Sequence, residues 1–189
     1  MSTTQQSADD LIHAIVRDHR DLERAFSEIE RHNHSLAYRK RLVDHVIAGL
    51  VRHSVAEEQF VYPVARDRIE GADDLIDNEI AEHARAEQLM KELEPLDPSD
   101  PRFDEVVTQL IENVRHHIEE EERDLLPALR SHCSDGELRD LGRKVILAKD
   151  SAPTRPHPGM PDRPPANLIL DAGVSIIDKV RDALNDRRV

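Results

Sequence analysis

Residues 53–63 read HSVAEEQFVYP, and residues 117–127 read HIEEEERDLLP. Each opens on a histidine, places a glutamate four residues later (Glu57, Glu121) and closes on a proline (Pro63, Pro127). Four residues is about one helical turn, so imidazole and carboxylate share one helix face. The two stretches are 64 residues apart, and the same offset relates His19 to His83 and Glu23 to Glu87. Five coincident pairs at one offset describe a duplicated helical hairpin with His-x3-Glu on every helix. A period of this size, present only twice, closes on itself and does not build a solenoid.

The surrounding pattern supports helices and no strands. Apolar residues recur at helical spacing around each histidine: Ile12, Ile15, Leu22 and Phe26 around His19; Val46, Leu50 and Phe60 around His53; Ile76, Ile80 and Met90 around His83; Leu110, Val114 and Leu125 around His117. Four helices are expected, at about 9–31, 35–69, 72–94 and 102–132, with Gly71 and the Pro95, Pro98, Pro101 cluster as breaks. Pro63 and Pro127 each bend or end their helix. Ser134-Asp-Gly-Glu137 is a capping box and predicts a fifth, shorter helix to about Lys149. Short connections favour an all-α, up-down-up-down four-helix bundle over residues 1–149. Residues 150–189 form a separate tail. It has six prolines between 153 and 165, expected to be extended, then a short helix over 168–188. That helix docks on the bundle or on a second copy of the chain, which would make a homodimer.

Composition narrows the function. The net charge is −13, so the chain lacks the basic surface that nucleic acid requires. The one cysteine, Cys133, precludes an internal disulfide framework and suits a reducing, cytoplasmic location. No apolar run approaches the ~18 residues of a membrane span.

All four His-x3-Glu pairs interrupt an apolar stripe and so face the core. They also share one depth: Glu57 lies 14 residues before Gly71 and His83 lies 12 after it. Both are then roughly 18–21 Å from that turn. Ionised carboxylates in an apolar core must neutralise or find a partner. Two divalent cations balance four carboxylates, with neutral imidazoles completing the ligand set. Mixed N/O donors suit iron, manganese or zinc, and the lack of thiolates argues against zinc-finger or iron–sulfur chemistry. Glu58, Glu119, Glu120, Glu122 and His116 are expected at the surface or behind the ligands. Tyr62 is expected to face away from His53.

The residues DHRDL around His19, HSVAEEQFVYP, EHARAE around His83 and HHIEEEERDLLP resemble the haemerythrin-like family, the HHE cation-binding domains, over about 9–132. The resemblance implies a non-haem di-iron centre, oxo- or hydroxo-bridged. By position it implies that His19 and His53 bind one iron, that His83, Glu87 and His117 bind the other, and that Glu57 and Glu121 bridge them. Glu23 is a further ligand or supports one. Oxygen-carrying members have His where this chain has Glu87, and an Asp one position beyond Glu121. These departures imply redox turnover of a small oxidant (hydrogen peroxide first, then O₂ or nitric oxide) in place of reversible oxygen carriage, hence a di-iron oxidoreductase of stress response. A sensor of oxygen, nitric oxide or iron is the alternative. Iron storage is weakest, because the chain contains no Glu-x-x-His of the ferritin type.

Overall fold

The computed structural model describes residues 10–31 and 34–157. The short helix read over 168–188 lies outside them. Among the described residues every regular element is a helix. α1 (Leu11–Ile29) starts at Asp10, whose side chain accepts the His13 N–H. α2 (Leu36–Ala56) starts at Ser35, whose hydroxyl accepts the Tyr38 N–H. After Gly71, which takes a positive φ of 74°, α4 (Asp73–Leu93) runs antiparallel to α2. α5 (Pro101–Glu120) starts with Asp100 as cap and Pro101 in the first turn, where the missing N–H is not needed. α7 (Asp135–Ser151) opens on the expected capping box of Ser134 and Glu137. It packs across α1 and α2.

The prolines neither end nor sharply break their helices. Each lies two residues past the end of a π segment, Glu57–Val61 after α2 and Glu121–Leu125 after α5. The helices then resume as α3 (Tyr62–Arg68) and α6 (Leu126–His132). A proline ring collides with the carbonyl four residues back and offers no N–H to it. The helix widens by one residue, and Tyr62 and Leu126 donate instead to the carbonyls of Glu57 and Glu121, five residues back.

Two apolar cores flank a polar layer. One packs Leu22, Phe26, Val46, Leu50, Met90 and Val114 towards the α1–α2 and α4–α5 turns. The other packs Leu11, Ile15, Ile76, Leu125 and Leu129 with Leu138 and Val145 of α7. His19, His53, His83 and His117 lie between them, each at most 7% exposed. The four-helix bundle and its extra helix agree with the sequence reading.

Candidate metal centre

The i, i+4 spacing on α2 and α5 puts each glutamate beside its own histidine's layer, and bundle packing brings the two halves together. His19, His53, Glu57 and Glu121 place one donor atom each within 4.8 Å of one another, as do Glu57, His83 and His117. Glu57 belongs to both groups. Its Oε1 is 3.0 Å from His53 Nε2 and its Oε2 is 3.3 Å from His83 Nε2. Glu121 Oε2 is 3.2 Å from His19 Nε2.

The inward atoms lack partners. His19 Nε2, His53 Nε2, Glu57 Oε1 and both Glu121 oxygens are buried without a hydrogen bond. Buried polar atoms are normally paired. Here they converge on one point, and His83 Nε2 and His117 Nε2, 3.2 Å apart, form a second cluster on the other side of Glu57. Two clusters sharing one carboxylate are the arrangement a pair of cations requires.

Each imidazole is held from behind by a carboxylate from another helix. His19 Nδ1 donates to Glu122 Oε1 at 2.9 Å and His83 Nδ1 to Glu58 Oε1 at 2.9 Å. His53 Nδ1 faces Asp18 Oδ2 at 3.5 Å, and His117 Nδ1 faces Glu82 Oε2 at 3.3 Å. Such contacts fix the tautomer, point Nε2 inward and raise its basicity. Glu58 and Glu122, expected at the surface or behind the ligands, stand behind them, while Asp18 and Glu82 escaped the sequence reading. A signal existed: Asp18 and Glu82, like Glu58 and Glu122, are 64 residues apart.

The sequence model of the Hemerythrin HHE cation binding domain matches residues 10–129. The chain belongs to this hemerythrin HHE family. An uncharacterized hemerythrin-like protein of Schizosaccharomyces pombe is 28% identical over 172 residues, which cover 90% of this chain and 84% of that protein. A DNA nickase of Nostoc is 26% identical over 147 residues, 76% of this chain but 40% of that protein. The crystal structure of a hemerythrin HHE cation-binding domain-containing protein from Mycobacterium kansasii shares the fold. Its TM-score is 0.65 at 23% identity, over 75% of this chain and 85% of that one.

Two sequence-assigned ligands of this hemerythrin-like chain are not brought to the centre. Glu23 is held by Arg115, with Nη2–Oε1 at 2.6 Å and Nε–Oε2 at 3.0 Å. Glu87 Oε1 accepts the His157 backbone N–H at 2.8 Å. At their level the inward positions belong to Leu22 and Ala86, one residue earlier. An i+4 step turns ~40° beyond a full circle. On α1 and α4 that drift carries the side chain outward.

Tyr62 is a second correction. It is 2% exposed, and its hydroxyl lies 3.1 Å from His83 Nε2 and 3.5 Å from Glu57 Oε2. Uniform α-helix would put it opposite His53, nine residues earlier. The extra residue in the π segment sets it back by about 100°, into the site.

Above the histidines, Leu22, Leu50, Ala86 and Val114 wall a cavity of about 10 Å³ that reaches His53, His83 and His117. It is room for about one water-sized group.

Burial opposes charge on these imidazoles, yet the acids around them prevail. Glu57 and Asp18 push His53 up to about 10. Glu57 and Glu58 push His83 up to about 10, and Glu79 and Glu82 push His117 up to about 9. Glu57 itself is held well below the carboxylate range against its burial, by His53 and His83. Without metal, protons do the work that cations would do.

Proposed function

We propose that this hemerythrin-like protein is a non-haem di-iron protein that handles a small oxidant, with hydrogen peroxide the first substrate and O₂ or nitric oxide the alternatives. The convergence of four buried Nε2 atoms on two carboxylates, with those of His19 and His53, Glu57 Oε1 and both Glu121 oxygens unpaired, carries the reading. Five of the six groups divide as the family resemblance implies: His19 and His53 on one side, His83 and His117 on the other, Glu57 touching both. Glu121 stands beside His19. Oxygen and nitrogen donors suit iron, with manganese or zinc compatible.

Iron bound here would supply reversible one-electron steps between its +2 and +3 states. The chain's own residues do the rest. The carboxylates behind each imidazole fix the ligand geometry. The apolar wall of Leu22, Leu50, Ala86 and Val114 admits a small ligand and excludes bulk water. The Tyr62 hydroxyl, beside His83 and Glu57, is placed to hold or give a proton at the substrate's edge; burial and the nearby Glu57 and Glu121 charges keep it protonated. The net charge of −13 supports a reading without nucleic acid as partner. No helix of the described residues is long and apolar enough to cross a membrane.

The test is metal analysis and oxygen evolution from peroxide on purified, iron-loaded protein beside His117→Ala. Two irons per chain, a near-ultraviolet charge-transfer band and oxygen evolution are expected, all reduced in the variant. Iron-loaded protein that leaves peroxide untouched would remove the catalytic reading.

A sensor is favoured by a separate observation. The start of the tail lies along α4: Arg155 Nη1 is 2.9 Å from Glu94 Oε1, and His157 N–H reaches Glu87, one turn from His83. Identical protease sensitivity of the tail in apo, reduced and oxidised protein would count against that reading.

A further inference from the structure

Between α4 and α5 lies a second group of ligand-type side chains, of which only Glu82, behind His117, also supports the centre. Glu79 is its innermost member. It is 0% exposed, and neither carboxylate oxygen makes a hydrogen bond. Its Oε2 stands 2.8 Å from His117 Nδ1, off the direction of a hydrogen bond. That nitrogen carries one proton at most, and Glu82 Oε2 competes for it at 3.3 Å. With His117 Nε2 committed to the centre, one N–H cannot neutralise two buried carboxylates. The other half of the repeat has no such conflict, because the residue 64 positions before Glu79 is Ile15. Glu79 is therefore outside the duplicated ligand plan, and it needs a proton or a cation of its own, burial pushing its carboxyl up towards the protonated form.

Donor atoms continue from Glu79 to solvent. Glu79, Glu82 and His117 lie within 4.8 Å of one another, and so do Glu82, His116 and Glu120. Glu82 joins the two groups: Oε2 faces inward and Oε1 is 3.1 Å from His116 Nδ1. His116 is 61% exposed, and Glu120 Oε2 stands 3.8 Å from its Nδ1. Arg85, also exposed, reaches only Glu82 Oε1 at the rim, at 3.4 Å. Asn78 donates to Glu120 Oε2 at 3.3 Å. Neither touches Glu79.

We propose that Glu79, Glu82, His116 and Glu120 form an outer divalent-cation site between α4 and α5, through which the central pair is filled. Glu82, with Glu79 on its inner side and His116 and Glu120 on its outer side, links hard, mixed O/N donors suited to Mn(II), Fe(II) or Zn(II). The site is graded from exposed to buried, so a hydrated cation can shed water stepwise as it moves from His116 and Glu120 to Glu82 and Glu79. The inference rests on the central histidines and Glu57 binding metal.

The test uses the full chain, with Glu79→Gln and the exposed His116→Ala. Iron-loaded protein is titrated with Mn(II), and free Mn(II) is followed by electron paramagnetic resonance. Wild type is expected to take one further Mn(II) per chain, and both variants none. In parallel, apo protein is mixed with Co(II) and visible absorbance follows filling. Both variants are expected to reach the wild-type amplitude about tenfold or more slowly. Iron-loaded wild type that takes no further Mn(II), or variants that fill as fast as wild type, would overturn the proposal. Wild type that shows no Co(II) amplitude at all would overturn the central reading, and this one with it.

Discussion

Metal loading of the apo protein is expected to release about three protons per chain at pH 7.5. His53 and His83 are raised to about 10 and His117 to about 9, so all three hold protons at that pH. A metal ion requires the neutral imidazole and displaces them. Each displaced proton makes apparent affinity rise about tenfold per pH unit. The same shifts set the stability of the apo protein. In the unfolded chain imidazole titrates near 6.5. Folded values above that stabilise fully below pH ~6.5, and the stabilisation is lost as pH rises through the folded values of about 9 to 10. Between those limits each imidazole contributes about −1.4 kcal/mol per pH unit to unfolding free energy, or about 3 kcal/mol over two units. Glu57 has the opposite sign: its lowered value stabilises above its unfolded pKa and is lost on acidification. Metal-loaded protein, with no protons on these nitrogens, loses the alkaline slope. Proton release is read with an indicator dye in weak buffer, and stability by urea unfolding of apo and loaded protein from pH 7 to 9. Release of less than one proton, with a flat apo midpoint across that range, would refute the imidazole–carboxylate pairing.

Tyr62→Phe removes a hydroxyl 3.1 Å from His83 Nε2 while keeping the ring. Far-ultraviolet circular dichroism should be unchanged and the absorption spectrum of iron-loaded protein altered; an identical spectrum would place the hydroxyl away from the metal. Asp18→Asn weakens the support behind His53 and the contact with Lys149 Nζ at 2.5 Å, and should lower metal affinity by about 10- to 100-fold in competition with a chelator. Glu87→Ala should leave the iron content at its wild-type value and increase proteolysis after residue 151, because Glu87 holds His157. Glu23→Ala should also keep its iron and cost no more than about 1 kcal/mol in urea unfolding, since its pair with Arg115 is substantially exposed.

The sequence by itself determined the four helices, the capping box of the fifth and the four inward histidines. These follow from periodicities of three and four residues, and such local geometry is the same in any helix. The 64-residue repeat added Glu57 and Glu121, because a duplicated hairpin must bury equivalent faces. It failed at Glu23 and Glu87, where the small angular drift of an i+4 step turns outward. Whether that drift helps or hurts depends on how each helix leans against its neighbours. Tyr62 was misplaced because a proline-induced π segment resets the angular phase, and the sequence shows the proline without showing how the helix absorbs it. The carboxylates behind the imidazoles and the unpaired Glu79 are decided by contacts between helices far apart in the chain. Only the packed bundle, by choosing which helix faces which, brings Glu122 to His19, Glu58 to His83, and Glu79 to a proton that Glu82 already claims.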